Sequence, residues 1–116
     1  VLRRRGILNP TLRHEYAHAV IETIGEGRTP RWLAEGMAIH FAGEGALLRR
    51  FESRNRMSLE ELERRIGRPT SAAQMRALYA DAGREVRALI QKEGESRLWR
   101  RVAASNRNAV AVLSPR

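Results

Sequence analysis

Strand-forming residues are scarce in this chain: aromatic residues make up only 5% of it, β-branched residues are few, and Ala, Leu, Arg and Glu dominate. Such a composition favours helix over sheet almost throughout, so the fold must be mainly α. Only Val1 to Leu8 could be extended, which leaves room for one short N-terminal strand at most.

Start and stop signals divide the rest into helices. Asn9-Pro10 offers a cap acceptor followed by proline at the first helical position, where a missing N–H costs nothing. The first helix is therefore expected from Pro10 to about Ile24, with Leu12, Tyr16, Ala19, Val20 and Ile24 as its apolar positions, and Gly25 and Gly27 at its end. Thr29-Pro30 repeats the signal for a second helix to about Phe41, stopped by Gly43 and Gly45. A third stretch is expected over Ala46 to Arg54. Ser58 with Glu61 forms a capping box for a short helix ending near Ile66 and Gly67. Ser71 with Gln74 has the same form and opens the longest helix, Ala72 to Glu93, with an inward stripe of Met75, Tyr79, Ala82, Val86, Leu89 and Ile90 and a stop at Gly94. A last helix runs from about Glu95 to Ala104. From residue 105 to 116 the expectation is a flexible tail, with Val110, Val112 and Leu113 able to dock in a groove.

At 116 residues the chain is one domain. There is no cysteine, so disulfides, thiolate ligands and thiol nucleophiles are excluded, and any metal must be held by His and carboxylates. No apolar run approaches the roughly 20 residues that span a bilayer, and the N-terminus lacks the apolar block of a signal peptide. Because the chain begins with Val1, it is expected to be a piece of a longer protein. The charge balance, 22 Lys and Arg against 13 Asp and Glu, gives +9. Nearly all these cations are Arg spread along the whole length, with few aromatics among them to stack on bases, so the pattern argues for a solvated basic surface rather than a nucleic-acid site.

Within the first helix, His14-Glu15-Tyr16-Ala17-His18 is an HExxH motif. Residues four apart lie one turn above each other on one face, so both imidazoles can point at one ion. Glu15 is displaced around the helix, where it can reach a water at the ion without becoming a ligand. A zinc ion that keeps an open position for water needs a third protein ligand. Glu35, in Trp32-Leu33-Ala34-Glu35-Gly36-Met37-Ala38, supplies one from a second helix joined to the first by a short turn, and Gly36 would let the two backbones approach.

His14 to His18 followed by Trp32 to Ala38 resembles the gluzincin metallopeptidases, and most closely their compact bacterial peptidase MA-like domains, which pair an HExxH helix with a WLxEGxA glutamate helix. The resemblance is sharpest over residues 9 to 42 and continues more loosely through Leu78-Tyr79-Ala80, Gly94 and Leu98. It implies a helical zincin-like core that hydrolyses peptide bonds of a peptide or protein substrate, with one Zn2+ per chain on His14, His18 and Glu35 and with Glu15 as general base. It implies an edge strand upstream of the HExxH helix to align the substrate, and it is in keeping with a place at the bacterial cell envelope. The family often carries an acidic residue and then an aromatic at the end of its glutamate-helix motif; Ile39 and His40 stand at those positions here.

Tyr79 is the candidate for stabilising the oxyanion, on the inward stripe of the long helix and at a point where the resembling family has a Tyr. A core Tyr bonded to backbone is the competing account. His40, five residues past Glu35, reads as a surface or core-edge histidine. Arg84 is a candidate for binding a substrate carboxylate. Two other functions stay open: a catalytically degenerate gluzincin-fold interaction module, and a basic module for nucleic acid or anionic polymers.

Overall fold

The computed structural model describes residues 10–113, with side chains described over 12–105. The segment Val1 to Leu8, the cap Asn9 and the side chains of Val110, Val112 and Leu113 lie outside those bounds. Six α-helices carry the described residues, and no strand occurs among them: α1 (Pro10–Gly25), α2 (Arg31–Ala42), α3 (Gly45–Leu48), α4 (Leu59–Ile66), α5 (Ala72–Glu93) and α6 (Glu95–Leu113), with a 3-10 turn over Arg49–Phe51. None of the described helices is long and apolar enough to cross a membrane.

The central element is α2. It packs against α1 on one side and α5 on the other, with α4 covering a further edge, and α6 closes over α1 and α5. Trp32, Leu33, Met37, Ile39 and Ala42 are buried along it. Trp32, Leu33 and Met37 join Ile21 of α1, Leu62 and Ile66 of α4, Leu78, Ala82 and Val86 of α5, and Leu98 and Val102 of α6 in one core. Phe41 stacks on Trp99 at 5.5 Å between ring centroids and ties α2 to α6. Gly36 serves a different contact from the one expected. A Cβ there would lie 2.4 Å from the Ala82 carbonyl oxygen and 2.5 Å from a Val86 methyl, so the missing side chain lets α2 approach α5, not α1.

The caps follow the sequence with two changes. Ser58 and Ser71 each accept a backbone hydrogen bond from the residue three further on, as a capping box requires. The glutamate and glutamine of those boxes reach elsewhere: Glu61 pairs with Arg64 and Arg65, and Gln74 accepts from Thr70. Helix α2 begins after Pro30, which has no side-chain cap of its own. Its first two amides, of Arg31 and Trp32, donate to the Glu63 carboxylate of α4 at 2.9 Å each. The negative charge suits the positive end of the helix dipole.

Several expectations are corrected. Helix α1 buries Ala17 and Ile21, whereas Leu12, Tyr16 and Ile24 are 50%, 73% and 38% exposed. Apolar residues occur around the whole helix, so periodicity alone does not select the face; packing against α2 and α6 does. On α5 the expected inward stripe of Tyr79, Ala82, Val86, Leu89 and Ile90 lies in or against the core together with Leu78, and only its Met75 turns outward. The stretch expected to be helical through Arg54 leaves the helix at Phe51, because Glu52 takes an extended conformation. Ser53 is then held by α5: its amide and hydroxyl donate to the buried Asp81 at 2.8 and 2.6 Å. At the other end, α6 is helical to Leu113, past the expected end near Ala104, since neither Gly nor Pro interrupts residues 105–113.

Candidate metal centre

The HExxH segment lies in the middle of α1, and the histidines sit beside Ala17 and Ile21 on the edge of the face that packs on α2. Residue 35 comes from the second turn of α2, opposite them. One Glu35 carboxylate oxygen stands 3.0 Å from His18 Nε2 and 3.5 Å from His14 Nε2. Donor atoms of all three residues lie within 4.8 Å of one another. Two ligands bound at about 2.1 Å on a tetrahedral zinc are about 3.4 Å apart, close to the 3.5 Å spacing between Glu35 and His14, whereas the 3.0 Å contact with His18 is a hydrogen bond. Two neutral nitrogens and one carboxylate form a borderline-hard donor set that suits a divalent zinc-like cation.

All three side chains are part-buried, which limits competing solvent without closing the site. The hydrogen bond to Glu35 raises the His18 pKa above its ordinary value. Burial opposes that rise, and the charges of Glu35, Glu15 and Glu22 add to it. A proton on His18 and a cation in the cluster compete for the same lone pair.

Glu15 is exposed on the solvent side of α1, close enough for its charge to act on His18. It is not one of the three clustered residues, and the role expected of it is taken up below as a proposal. Tyr79 is half-buried on α5. Burial raises its pKa, the nearby Glu35 charge raises it further, and Arg31 pulls the other way. Its hydroxyl thus keeps its proton at neutral pH and remains a donor in the electrostatic neighbourhood of Glu35.

The other candidates sit elsewhere. His40 is exposed and edge-on to the Phe41 ring at 4.9 Å. Arg84 is committed to structure: it donates to the Ser53 carbonyl at 2.7 Å and approaches Asp81 at 3.4 Å, so it holds the 52–56 loop and is not disposed toward a substrate.

One residue beside the site was not foreseen. Glu44 Oε1 lies 2.6 Å from His14 Nδ1. The turn that places it follows from Gly43, which adopts a left-handed conformation at φ 76° and ends α2. The Gly43 amide donates to the His40 carbonyl and the Glu44 amide to the Ile39 carbonyl, the two reversed bonds of a Schellman cap. Arg13 Nε donates to the Ala42 carbonyl at 3.1 Å and fixes this turn to α1. The signal available in the sequence was a helix-ending glycine followed at once by an acid. At the position where the resembling family carries its acid, Ile39 is buried in the interior instead. Compared with known protein families, curated proteins and solved structures, the chain matches none of them.

Proposed function

We propose that this chain is the helical core of a gluzincin-type zinc metallopeptidase that binds one Zn2+ per chain through His14, His18 and Glu35 and hydrolyses peptide bonds. The observation that carries the reading is the convergence of two imidazole nitrogens from α1 on a single carboxylate oxygen from α2, at 3.0 and 3.5 Å. When bound, zinc supplies a Lewis acid that polarises a carbonyl and brings the pKa of water toward neutrality. Glu15, beside the cluster and open to solvent, takes the proton from the attacking water and returns it to the leaving amine. Tyr79, protonated at neutral pH, donates a hydrogen bond to the oxyanion of the tetrahedral intermediate.

The test is metal analysis and peptide cleavage on three proteins. The unaltered chain is expected to hold one zinc and to cleave. Glu15→Gln should keep the zinc and lose cleavage, and His18→Ala should lose the zinc. Cleavage retained in Glu15→Gln overturns the assigned base, and stoichiometric zinc in His18→Ala overturns the ligand set.

A second reading is a metal-binding interaction module without turnover. It is favoured by the outward-facing Leu12 and Tyr16 on α1. Stoichiometric zinc with no cleavage across a broad peptide library would select it. The basic nucleic-acid reading draws less support, because Arg56, Arg64, Arg65, Arg87 and Arg101 are paired with carboxylates of the same chain.

A further inference from the structure

We infer that Glu44 is a positioning residue for the metal site, one that fixes the tautomer and ring orientation of His14. The inference rests on the proposed ligand set and adds to it a residue outside both sequence motifs.

The argument starts from the two nitrogens of one ring. His14 Nδ1 faces Glu44 Oε1 at 2.6 Å, and His14 Nε2 faces Glu35 Oε1 at 3.5 Å. An ionised carboxylate only accepts, so the shorter contact requires a proton on Nδ1. A neutral imidazole has one N–H, and its lone pair is then on Nε2, directed into the cluster with His18 and Glu35. Glu44 therefore selects the tautomer that can ligate a cation from the correct side.

The construction around Glu44 holds it in place. Its backbone is set by the Gly43 cap, and the Arg13 bond to the Ala42 carbonyl ties that cap to the turn of α1 just before His14. The acid thus approaches His14 from the end of α2, five residues past Ile39, where the glutamate-helix motif itself offers only an apolar side chain. Glu44 lies on the opposite side of the ring from Glu35, so it acts through His14 and does not join the ligand atoms.

The experiment compares the 116-residue chain with Glu44→Ala, Glu44→Gln and, as a charge control on α4, Glu60→Ala. Zinc affinity is measured by competition with a chelator, and folding by thermal unfolding. The His14 tautomer is read from long-range proton–nitrogen NMR of the metal-free protein. Glu44→Ala is expected to weaken zinc binding by about 10- to 100-fold and to lose the Nδ1–H signature. Glu44→Gln keeps an acceptor oxygen and should retain that tautomer, recovering part of the affinity. Glu60→Ala should match the unaltered chain.

Wild-type affinity in a folded Glu44→Ala overturns the inference and leaves the ligand set standing. So does a weakened affinity with the His14 tautomer unchanged. If the unaltered chain binds no zinc at all, the ligand set and the inference fall together.

Discussion

Under the proposed function, substitutions at Tyr79 and Glu15 would separate two things that a single activity loss would confuse, holding a cation and using it. Tyr79→Phe removes a hydroxyl from a half-buried ring and leaves the packing in place. Loss of one oxyanion donor typically lowers turnover by roughly 100- to 1,000-fold, and that fall is expected in kcat with KM and zinc content unchanged. A Tyr79→Phe variant with full turnover would return Tyr79 to the core. The HExxH residues could be read from the sequence because their relation is local: helix geometry alone puts positions 14 and 18 one above the other. Glu35 could be read because a short link forces two helices to be neighbours. Glu44 could not, since its approach to His14 depends on the left-handed turn at Gly43, and no periodicity reports which way a side chain leaves such a turn. The engagement of Arg84 is hidden for a related reason, because its carbonyl partner comes from a loop 31 positions away in sequence, at Ser53.

Among the elements, the boundaries of α4 and α5 were legible because Ser58, Ser71 and Gly94 are strong local signals, whereas the face of α1 was not, because its apolar residues surround the axis. Gly36 is where element packing meets the site. Placing a methyl there drives it into the Ala82 carbonyl and Val86, so Gly36→Ala is expected to destabilise by about 1–3 kcal/mol and to shift Glu35 with its helix. Denaturant unfolding and zinc competition on the same variant should move together, and an unchanged stability would refute the close approach of α2 to α5. Helix α4 gives a pH prediction. The guanidinium groups of Arg64 and Arg65 hold the Glu61 carboxyl well down, at about 2. A depressed carboxylate stabilises the fold above its unfolded pKa, and that support fades as pH falls from about 4.5 toward 2. Carboxyl carbon shifts should follow Glu61 to this low midpoint, which added salt should bring closer to the ordinary value because the pair is at the surface.

Across the whole molecule, the two helices that carry His14, His18 and Glu35 are anchored unequally. Helix α2 is enclosed by α1, α4 and α5, and its first amides are held by Glu63. Among its described residues, helix α1 contributes only Ala17 and Ile21 to the buried apolar set, and its outer side, with Leu12 and Tyr16, faces solvent. Amide hydrogen exchange should therefore open in two tiers, with α2 exchanging only when the whole chain unfolds and α1 exchanging earlier through local opening. Equal protection in both would contradict this. In the proposed site the carboxylate thus sits on the enclosed helix and both imidazoles on the helix with a solvent-facing side, so local opening of α1 would part the histidines from Glu35 while leaving Glu35 in place.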